Sequence, residues 1–222
     1  MTNGMRHASL AEQIQNFHDE MRGRIPEAIA ATLSHELTTL AESGMAARSL
    51  AAGAHAPDFA LPDQDGQTVR LSTLLARGSV VIAFYRGGWC PYCNLQLRAY
   101  QAILTDIKKS GATMVAISPQ TPDYTASTAR EKDLGFPVLS DVGNHVAREY
   151  GLVFVLPDAL QDLQKKFGTD VPRFNGDQSW ELPMPATFVI SRDGIVRLAS
   201  VDPDYRRRLE PVALLDQLAT PP

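Results

Sequence analysis

Cysteine is scarce in this sequence, with two among 222 residues. So few cysteines exclude a fold held together by several disulfides, which is the strategy of small secreted domains. The first eleven residues contain no apolar segment of the kind that secretory signals carry, and no stretch approaches the roughly 18 apolar residues of a membrane-spanning helix. We therefore expect neither a signal nor a membrane span, and a protein of the reducing cytoplasm.

An excess of positive charge is also missing. Lys and Arg total 21 while Asp and Glu total 25, which gives a formal net charge of −4. There is no sustained basic stripe, and we interpret the three arginines at 206–208 as a solvent-exposed turn. Of the five histidines, only His145 follows the cysteines. The composition therefore predicts no nucleic-acid partner, no metal site and no bound cofactor.

The two cysteines are spaced Cys90-x-x-Cys93 at a boundary between a predicted strand and a predicted helix. Residues 79–85 are apolar and rich in β-branched and aromatic side chains, which is typical of a strand buried on both faces. Gly87 and Gly88 then let the backbone turn. Apolar residues recur mostly every three or four positions up to residue 107, which indicates one helix. The cysteines therefore lie at the first turn of that helix.

This position changes the chemistry of a thiol. The first N–H groups of a helix have no partner within it, and together with the helix dipole they stabilise a thiolate. Cysteines so placed have pKa values of roughly 3.5–7.5. Pro91 suits the first turn because it lacks an N–H that would be left unpaired. Sulfurs one turn apart can also close a disulfide without unfolding the helix.

Three interpretations of the pair are open at this point. A Cys-x-x-Cys is half of many zinc sites, but two further close ligands would be needed. Two inert, buried cysteines are the second interpretation. The order of strand, glycine turn, Trp89, cysteine pair and helix favours the third, which is dithiol redox chemistry.

The whole sequence predicts an α/β fold with three layers, in which a mixed central sheet lies between helices. A capping box at Ser9 and Glu12 begins one amphipathic helix, and Pro26 separates it from a second. These two helices form a predicted N-terminal helical extension, residues 1–50. Residues 54–220 alternate strands and helices, then end in a hairpin with an Asp-Gly turn and a last helix.

Two features are less well defined by the pattern. Residues 168–183 have weak periodicity, and we predict a loop there of the length that is often functional or mobile. The apolar faces of the first two helices have two candidate partners, the rest of the chain or a second copy in a homodimer. We expect them to pack within the chain.

Three segments occur in an order that is specific as a set: Ala56-Pro57-Asp58-Phe59 with Asp65-Gly66, then Phe84-Tyr85 nine positions before Cys93, then Thr187-Phe188-Val189-Ile190 with Asp193-Gly194. Together they resemble the thioredoxin-fold superfamily and, more closely, its alkyl hydroperoxide reductase / thiol-specific antioxidant (AhpC/TSA) branch, the peroxiredoxins. The resemblance covers about residues 56–219. It implies a thioredoxin-like fold and a thiol-dependent antioxidant activity.

The sequence departs from the peroxiredoxin pattern beside the cysteines. Peroxiredoxins usually have Pro after the aromatic pair, Thr or Ser three residues before the catalytic cysteine, and Arg before the hairpin strand. This chain has Arg86, Cys90 and Pro185 there. The usual groups hydrogen-bond the peroxide and stabilise developing negative charge, a contribution whose loss commonly costs ~10²–10³ in rate. Arg86 is a candidate to supply the positive charge that Pro185 cannot, although an arginine beside a glycine turn is more often exposed to solvent.

The replacements resemble thioredoxin instead. In thioredoxin a cis-proline faces the Cys-x-x-Cys, and we accordingly expect a cis bond between Met184 and Pro185. Thioredoxin also has a buried carboxylate just before the aromatic pair, where this chain has Ala83. The chain therefore matches the full catalytic set of neither family.

The resemblance implies a peroxidase in which Cys93 attacks hydrogen peroxide or an organic hydroperoxide, and Cys90 resolves the sulfenic acid as a disulfide. Thioredoxin or a glutathione system would reduce that disulfide. The alternative is a thiol–disulfide oxidoreductase in which Cys90 attacks a disulfide substrate. A second alternative is a redox-responsive binding protein whose helical extension responds to the dithiol. The residues predicted to surround the dithiol are Tyr85, Arg86, Trp89, Pro91, Tyr92, Pro185 and Thr187.

Overall fold

The computed structural model describes residues 8–220. In chain order its elements are α1 (Leu10–Arg22), α2 (Glu27–Glu42), a 3₁₀ turn (Met45–Arg48), β1 (Ala60–Pro62), β2 (Thr68–Arg70), α3 (Leu71–Leu75), β3 (Val80–Phe84), α4 (Pro91–Ala102), α5 (Leu104–Lys109), β4 (Thr113–Ser118), α6 (Pro122–Glu131), β5 (Val138–Ser140), α7 (His145–Glu149), β6 (Val153–Val155), α8 (Asp158–Lys166), α9 (Val171–Asn175), β7 (Glu181–Pro183), β8 (Ala186–Ile190), β9 (Val196–Val201) and α10 (Pro211–Ala219).

A five-stranded mixed sheet in the order β5-β4-β3-β8-β9 forms the centre of the fold. Strand β3 pairs in parallel with β4 and antiparallel with β8, and its last residue, Phe84, lies opposite Ala186. All five residues of β3 are buried, because helices cover both faces of the sheet. The predicted α/β fold with a mixed central sheet is confirmed.

Each face of the sheet has its own apolar core. Alternate residues of β3 point to opposite faces, so that Ile82 and Phe84 pack with α7 and α8 on one side. Val81 and Ala83 pack with α1, α4, α5 and α10 on the other. Both cysteines belong to this second core. The predicted three layers are therefore present, and the dithiol lies between the sheet and α4.

The first two helices form as the sequence predicts. Ser9 caps α1 in a reciprocal capping box with Glu12. The Glu210 carboxylate also accepts hydrogen bonds from the backbone N–H groups of Leu10 (3.1 Å) and Ala11 (2.6 Å), which joins this end of α1 to the C-terminal segment. Helix α1 packs on α4 and α2 packs on α8, as expected for packing within the chain. Residues 1–7 of the predicted extension lie outside the described residues.

Two segments differ from the prediction. The supposed loop at 168–183 contains α9 and β7, because Asp170 caps α9 and β7 pairs with β6. The pairing of β6 with β7 joins residues far apart in the sequence and leaves no periodicity to detect, whereas the Asp170 cap is a local signal that the sequence interpretation missed. The single helix predicted after the cysteines is divided at Ile103, where φ is −102° and ψ is 8°. No helix in the described part of the chain is long and apolar enough to cross a membrane.

Candidate active site

The segment between β3 and α4 holds the cysteines in place through two glycines. Gly87 has φ of 150°, and a Cβ there would lie 2.3 Å from Nε1 of Trp89. A Cβ on Gly88 would lie 2.2 Å from Oγ1 of Thr128. The Gly88 N–H also donates to Oε1 of Gln120 at 2.7 Å. Close packing and a positive φ therefore explain why this turn uses glycine.

Both cysteines lie at the start of α4, where the sequence places them. Cys90 is the N-cap residue, Pro91 is the first helical residue, and Cys93 is the third. Both side chains have no exposed surface, and the two sulfurs are free thiols rather than a disulfide. The fold therefore presents a buried dithiol at a helix N-terminus, which is the electropositive end of the helix.

Arg86 lies against this dithiol rather than in solvent, the more common position for an arginine beside a glycine turn. It is only 6% exposed, and its Nη2 donates to Sγ of Cys90 at 2.9 Å. Its guanidinium carbon lies 4.1 Å from the ring centroid of Tyr205 and 5.4 Å from that of Trp89. Burial lowers the pKa of the guanidinium, but the neighbouring thiols raise it more. Arg86 can be buried because aromatic rings and a sulfur replace its water.

A second arginine reaches the other sulfur. Nη2 of Arg208 lies 3.5 Å from Sγ of Cys93, while its Nη1 donates to Oε1 of Gln96 and its Nε donates to the carbonyl of Tyr205 at 2.7 Å. The sequence interpretation missed this residue, because it treated the arginines at 206–208 as a solvent-exposed turn. Each cysteine therefore has its own guanidinium.

A hydrogen-bond network behind α4 holds Arg208. Nε2 of Gln96 donates to the hydroxyls of Thr187 and Tyr100, each at 3.1 Å. The Tyr100 hydroxyl also contacts Oγ1 of Thr187 at 3.1 Å and donates to the carbonyl of Leu209 at 3.0 Å. Thr187 was predicted to be a neighbour of the dithiol, and it lies in this network, connected to Cys93 through Gln96 and Arg208.

The two thiols have opposite acidities. Burial raises the pKa of Cys93, but a hydrogen bond from Cys90 and the charges of Arg208 and Arg86 together hold it well below the usual value. Burial and the negative charge on Cys93 raise the pKa of Cys90, despite the same two arginines. The short Arg86 contact taken alone would favour a thiolate at Cys90. We assign the charge to Cys93, because it lies within the helix turn and receives the hydrogen bond of the other thiol.

Aromatic residues cover the dithiol. Tyr92 packs edge-on against Phe17 of α1, with ring centroids 5.2 Å apart, and against Tyr205 at 5.0 Å. Its hydroxyl lies 3.4 Å from Nδ1 of His18. Burial raises the pKa of Tyr92 and also that of Tyr85, which is fully buried at the end of β3. Both tyrosines are therefore neutral at the site.

Pro185 lies near the site, but not in the predicted conformation. The sheet register places it beside Tyr85, one position beyond the pair of Phe84 and Ala186. The Met184–Pro185 bond is trans, since the described part of the chain has no cis peptide bond. The Met184 N–H donates to the carbonyl of Leu152 at 2.8 Å, and the extended chain passes from β7 directly into β8. The expectation of a cis-proline is therefore wrong.

Within residues 8–220, no group of three or more His, Cys, Asp or Glu side chains is close enough to hold a metal ion. The chemistry that this geometry offers is that of a polarised dithiol, with one sulfur favoured as thiolate and the other as thiol. Two cations and a helix N-terminus stabilise negative charge next to the sulfurs.

Comparison with known proteins agrees with the fold. The chloroplastic peroxiredoxin Q of Sedum lineare is 31% identical over 165 residues, which are 74% of this chain and 74% of that protein. That of Populus jackii is 32% identical over 161 residues, which are 72% of this chain but 62% of that longer protein. The crystal structure of peroxidoxin BcpB from Mycobacterium tuberculosis has a TM-score of 0.59 and 26% identity, over 75% of this chain and 95% of that chain.

The family itself can be assigned from its sequence profile. The profile of the AhpC/TSA family matches residues 52–199, which is well over half of the chain. The matched range contains β3, β4, β5, β8, the first part of β9 and the dithiol. This protein therefore belongs to the AhpC/TSA family.

Proposed function

We propose that this protein is a thiol-dependent peroxidase in which Cys93 attacks a peroxide and Cys90 resolves the product. The observation that carries the proposal is the position of Cys93 in the first turn of α4, with Nη2 of Arg208 3.5 Å from its sulfur. This environment favours the thiolate and holds the pKa of Cys93 well below its usual value. Cys93 also follows the Phe84-Tyr85 pair at the spacing at which peroxiredoxins have their catalytic cysteine. The relatives named peroxiredoxin support the same activity.

The reaction balances with the groups at the site. The Cys93 thiolate attacks the outer oxygen of ROOH, the O–O bond breaks, and the departing RO⁻ takes a proton from water to give ROH. Cys93 is then a sulfenic acid, with sulfur oxidised by two electrons. The Cys90 thiol attacks this sulfur, a disulfide forms, and the hydroxyl leaves as water. An external dithiol such as thioredoxin, or glutathione, then reduces the disulfide.

The two guanidiniums replace the residues with which the family binds the peroxide and stabilises negative charge, and which this chain lacks. As oxygen departs, negative charge moves from the sulfur to the leaving group, and cations within hydrogen-bond reach stabilise that transition state. Arg208 supplies one cation next to Cys93, and Arg86 supplies the other. Nε of Arg86 and Nε1 of Trp89 are buried donors without a hydrogen-bond partner. These donors are available to a peroxide oxygen.

Substrate access requires a local opening. Neither sulfur is exposed, because the side chains of Arg86, Tyr92 and Tyr205 cover the dithiol. Disulfide formation requires less movement, since the two cysteines share the first turn of α4. We therefore propose that the covering side chains move before the first step.

A second candidate function is thiol–disulfide exchange with Cys90 as the attacking sulfur. The contact that favours it is the 2.9 Å hydrogen bond from Arg86 to Cys90, which would stabilise a thiolate there. Trp89, Tyr92 and Pro185 would then form the docking surface. Ala83 stands where thioredoxin has its buried carboxylate, so the resolving cysteine lacks a base to remove its proton. For that reason we place this function second.

The remaining proposals concern the compartment, the domain division and the assembly. We propose a reducing compartment, the cytoplasm, because the cycle requires a free dithiol and a supply of reductant. We also propose the division into an extension (residues 1–50) and a thioredoxin-like domain (54–220), and a homodimer.

A redox-responsive binding role predicts a change of molecular size when the dithiol is oxidised, which gel filtration of both redox forms measures.

The test compares two activities in the same preparation. We expect the wild type to consume hydrogen peroxide with thioredoxin or glutathione as reductant, and to reduce insulin disulfides slowly. Cys93→Ser should lose peroxide consumption entirely, while Cys90→Ser should still react once. Fast insulin reduction without peroxide consumption would instead establish the exchange function, with Cys90 as the attacking residue.

A further inference from the structure

Helix α1 is joined to residues 204–210, the arginine segment, which carries Arg208. Glu210 ends this segment as the N-cap residue of α10, and its carboxylate accepts hydrogen bonds from the N–H groups of Leu10 (3.1 Å) and Ala11 (2.6 Å). These are the first two residues of α1, whose N–H groups have no partner within the helix. A carboxylate at this end of a helix is also stabilised by the helix dipole. Glu210 therefore holds the start of α1 by two charge-assisted hydrogen bonds.

Two further contacts join α1 to the arginine segment. Nε2 of His18 lies 3.4 Å from Nη1 of Arg206. Phe17 packs on Tyr92 with ring centroids 5.2 Å apart, and Tyr92 packs in turn on Tyr205. Tyr92 lies between the two cysteines in the first turn of α4. The two ends of the chain therefore meet over the dithiol.

The arginine segment supplies the cation next to Cys93. Nη2 of Arg208 lies 3.5 Å from Sγ of Cys93, and Glu210 follows Arg208 by two positions. Because this contact is already at the long end for a hydrogen bond, a small displacement of the segment is enough to weaken it. Both α1 and the arginine segment lie outside residues 52–199, the range that the family profile matches.

We propose that Glu210 is a positioning residue of the thiol chemistry, which keeps Arg208 on Cys93 by fixing the arginine segment to α1. The helical extension then supports the dithiol from a distance, through the cation that stabilises the reacting sulfur. Gln96 of α4 holds the other side of the same guanidinium, so Glu210 and Gln96 share this support. The proposal rests on the proposed peroxidase function and adds Glu210 and α1 to its charge-stabilising apparatus.

The test is the pH dependence of Cys93 alkylation in Glu210→Ala, with the modified residue located by tandem mass spectrometry. Each profile is normalised to its own plateau in alkali, so that a change in access to the buried sulfur does not enter the comparison. Arg208→Gln, which removes the whole cation, should lower the normalised rate in acid about tenfold. We expect a fall of roughly threefold in Glu210→Ala, about half of that effect in free energy, because Gln96 still holds the guanidinium.

The direction of the shift is itself informative. Loss of the negative charge of Glu210 would by itself make ionisation of Cys93 easier and move the profile to lower pH. A shift to higher pH therefore reports a displaced Arg208. In the double variant Glu210→Ala, Arg208→Gln, no guanidinium is left to hold, so we expect no shift to higher pH beyond that of Arg208→Gln alone.

Ser9→Ala is the matched control, because it removes the local cap of α1, the hydrogen bond from the Glu12 N–H, and leaves Glu210 in place. It should lower the stability of α1 and leave the profile of Cys93 unchanged. An unshifted or acid-shifted profile in Glu210→Ala, an equal shift in Ser9→Ala, or a further shift to higher pH in the double variant would overturn the proposal.

These results are independent of the proposed function, because alkylation consumes no peroxide. If the wild type shows no peroxidase activity, the proposed function fails, and the shift in Glu210→Ala still assigns Glu210 to the support of Arg208. If peroxidase activity is found and the profile of Glu210→Ala does not shift, the function stands and the positioning role of Glu210 fails.

Discussion

Replacing Arg208 by glutamine removes the cation next to Cys93 and changes little else at the dithiol. Glutamine is shorter and uncharged but still polar, so that it removes the guanidinium without placing an apolar side chain beside Gln96 and the carbonyl of Tyr205. Arg86 stays on Cys90. The change therefore isolates the contribution of one guanidinium to the acidity of Cys93.

The size of the effect follows from the contact. A hydrogen bond to a charged group contributes roughly 1.5–3 kcal/mol, and the 3.5 Å separation of Arg208 Nη2 and Cys93 Sγ places this one near the lower value. Since one pKa unit corresponds to about 1.4 kcal/mol, the pKa of Cys93 should rise by about one unit. The ratio of thiolate to thiol would fall about tenfold at any pH below the new pKa.

The assay is the pH dependence of Cys93 alkylation, followed by mass spectrometry of the modified peptide. In the wild type the rate should reach its maximum well below the pKa of a free cysteine, ~8.5, because the pKa of Cys93 is lowered. In Arg208→Gln the profile should move to higher pH, so that the two proteins differ most in acid and converge in alkali.

Arg207→Gln is the matched control for this prediction. Arg207 is the neighbouring residue, its side chain is 74% exposed, and its ion pairs are with Asp202 and Asp204. We expect the profile of Cys93 to be unchanged in this variant. An unshifted profile in Arg208→Gln, or equal shifts in the two variants, would refute the assignment of Arg208 to the thiolate.

Three further predictions concern the support of the site. Thr187→Val removes the hydroxyl that contacts Gln96 and Tyr100, so the free energy of unfolding in urea should fall by roughly 1–3 kcal/mol. An unchanged midpoint would contradict the network. Gly88→Ala should lower the free energy of unfolding by roughly 1–3 kcal/mol in the same measurement, because its Cβ would collide with Thr128. Gly23→Ala, where a Cβ would have its nearest contacts at 3.6 Å, should leave the free energy of unfolding unchanged. Ser9→Ala should lower the thermal stability by about 1 kcal/mol through the lost cap of α1, and an equal Tm would argue against it.

The fold could be predicted from the sequence where local patterns decide it. The apolar run before the cysteines became β3, because a strand buried on both faces needs continuous apolar residues. The capping box at Ser9 gave the start of α1, since capping depends on residues three positions apart. The prediction for residues 168–183 failed at β7 because that strand is held by β6, which lies elsewhere in the chain. Local periodicity contains no information about such partners.

The site was predicted in part. The cysteine pair at a helix N-terminus follows from spacing alone, and the structure brings Tyr85, Trp89, Pro91 and Tyr92 to it. The sequence left the orientation of Arg86 open, because a glycine turn is usually exposed and nothing in the local sequence shows that Tyr205 covers it. Arg208 was missed for the same reason, since its contact to Cys93 spans 115 residues. The run of three arginines after the hairpin would have been the one signal in the sequence for a cation beside the dithiol.

The identity of the first sulfur to react tests the account most directly. Hydrogen peroxide would be mixed rapidly with Cys90→Ser and, separately, with Cys93→Ser, and a sulfenic-acid trap would identify the oxidised residue and its rate. We expect rapid sulfenic-acid formation on Cys93 in Cys90→Ser and slow oxidation of Cys90 in Cys93→Ser. Cys93 reacting no faster than a free cysteine, while Cys90 reacts rapidly or forms mixed disulfides, would contradict it.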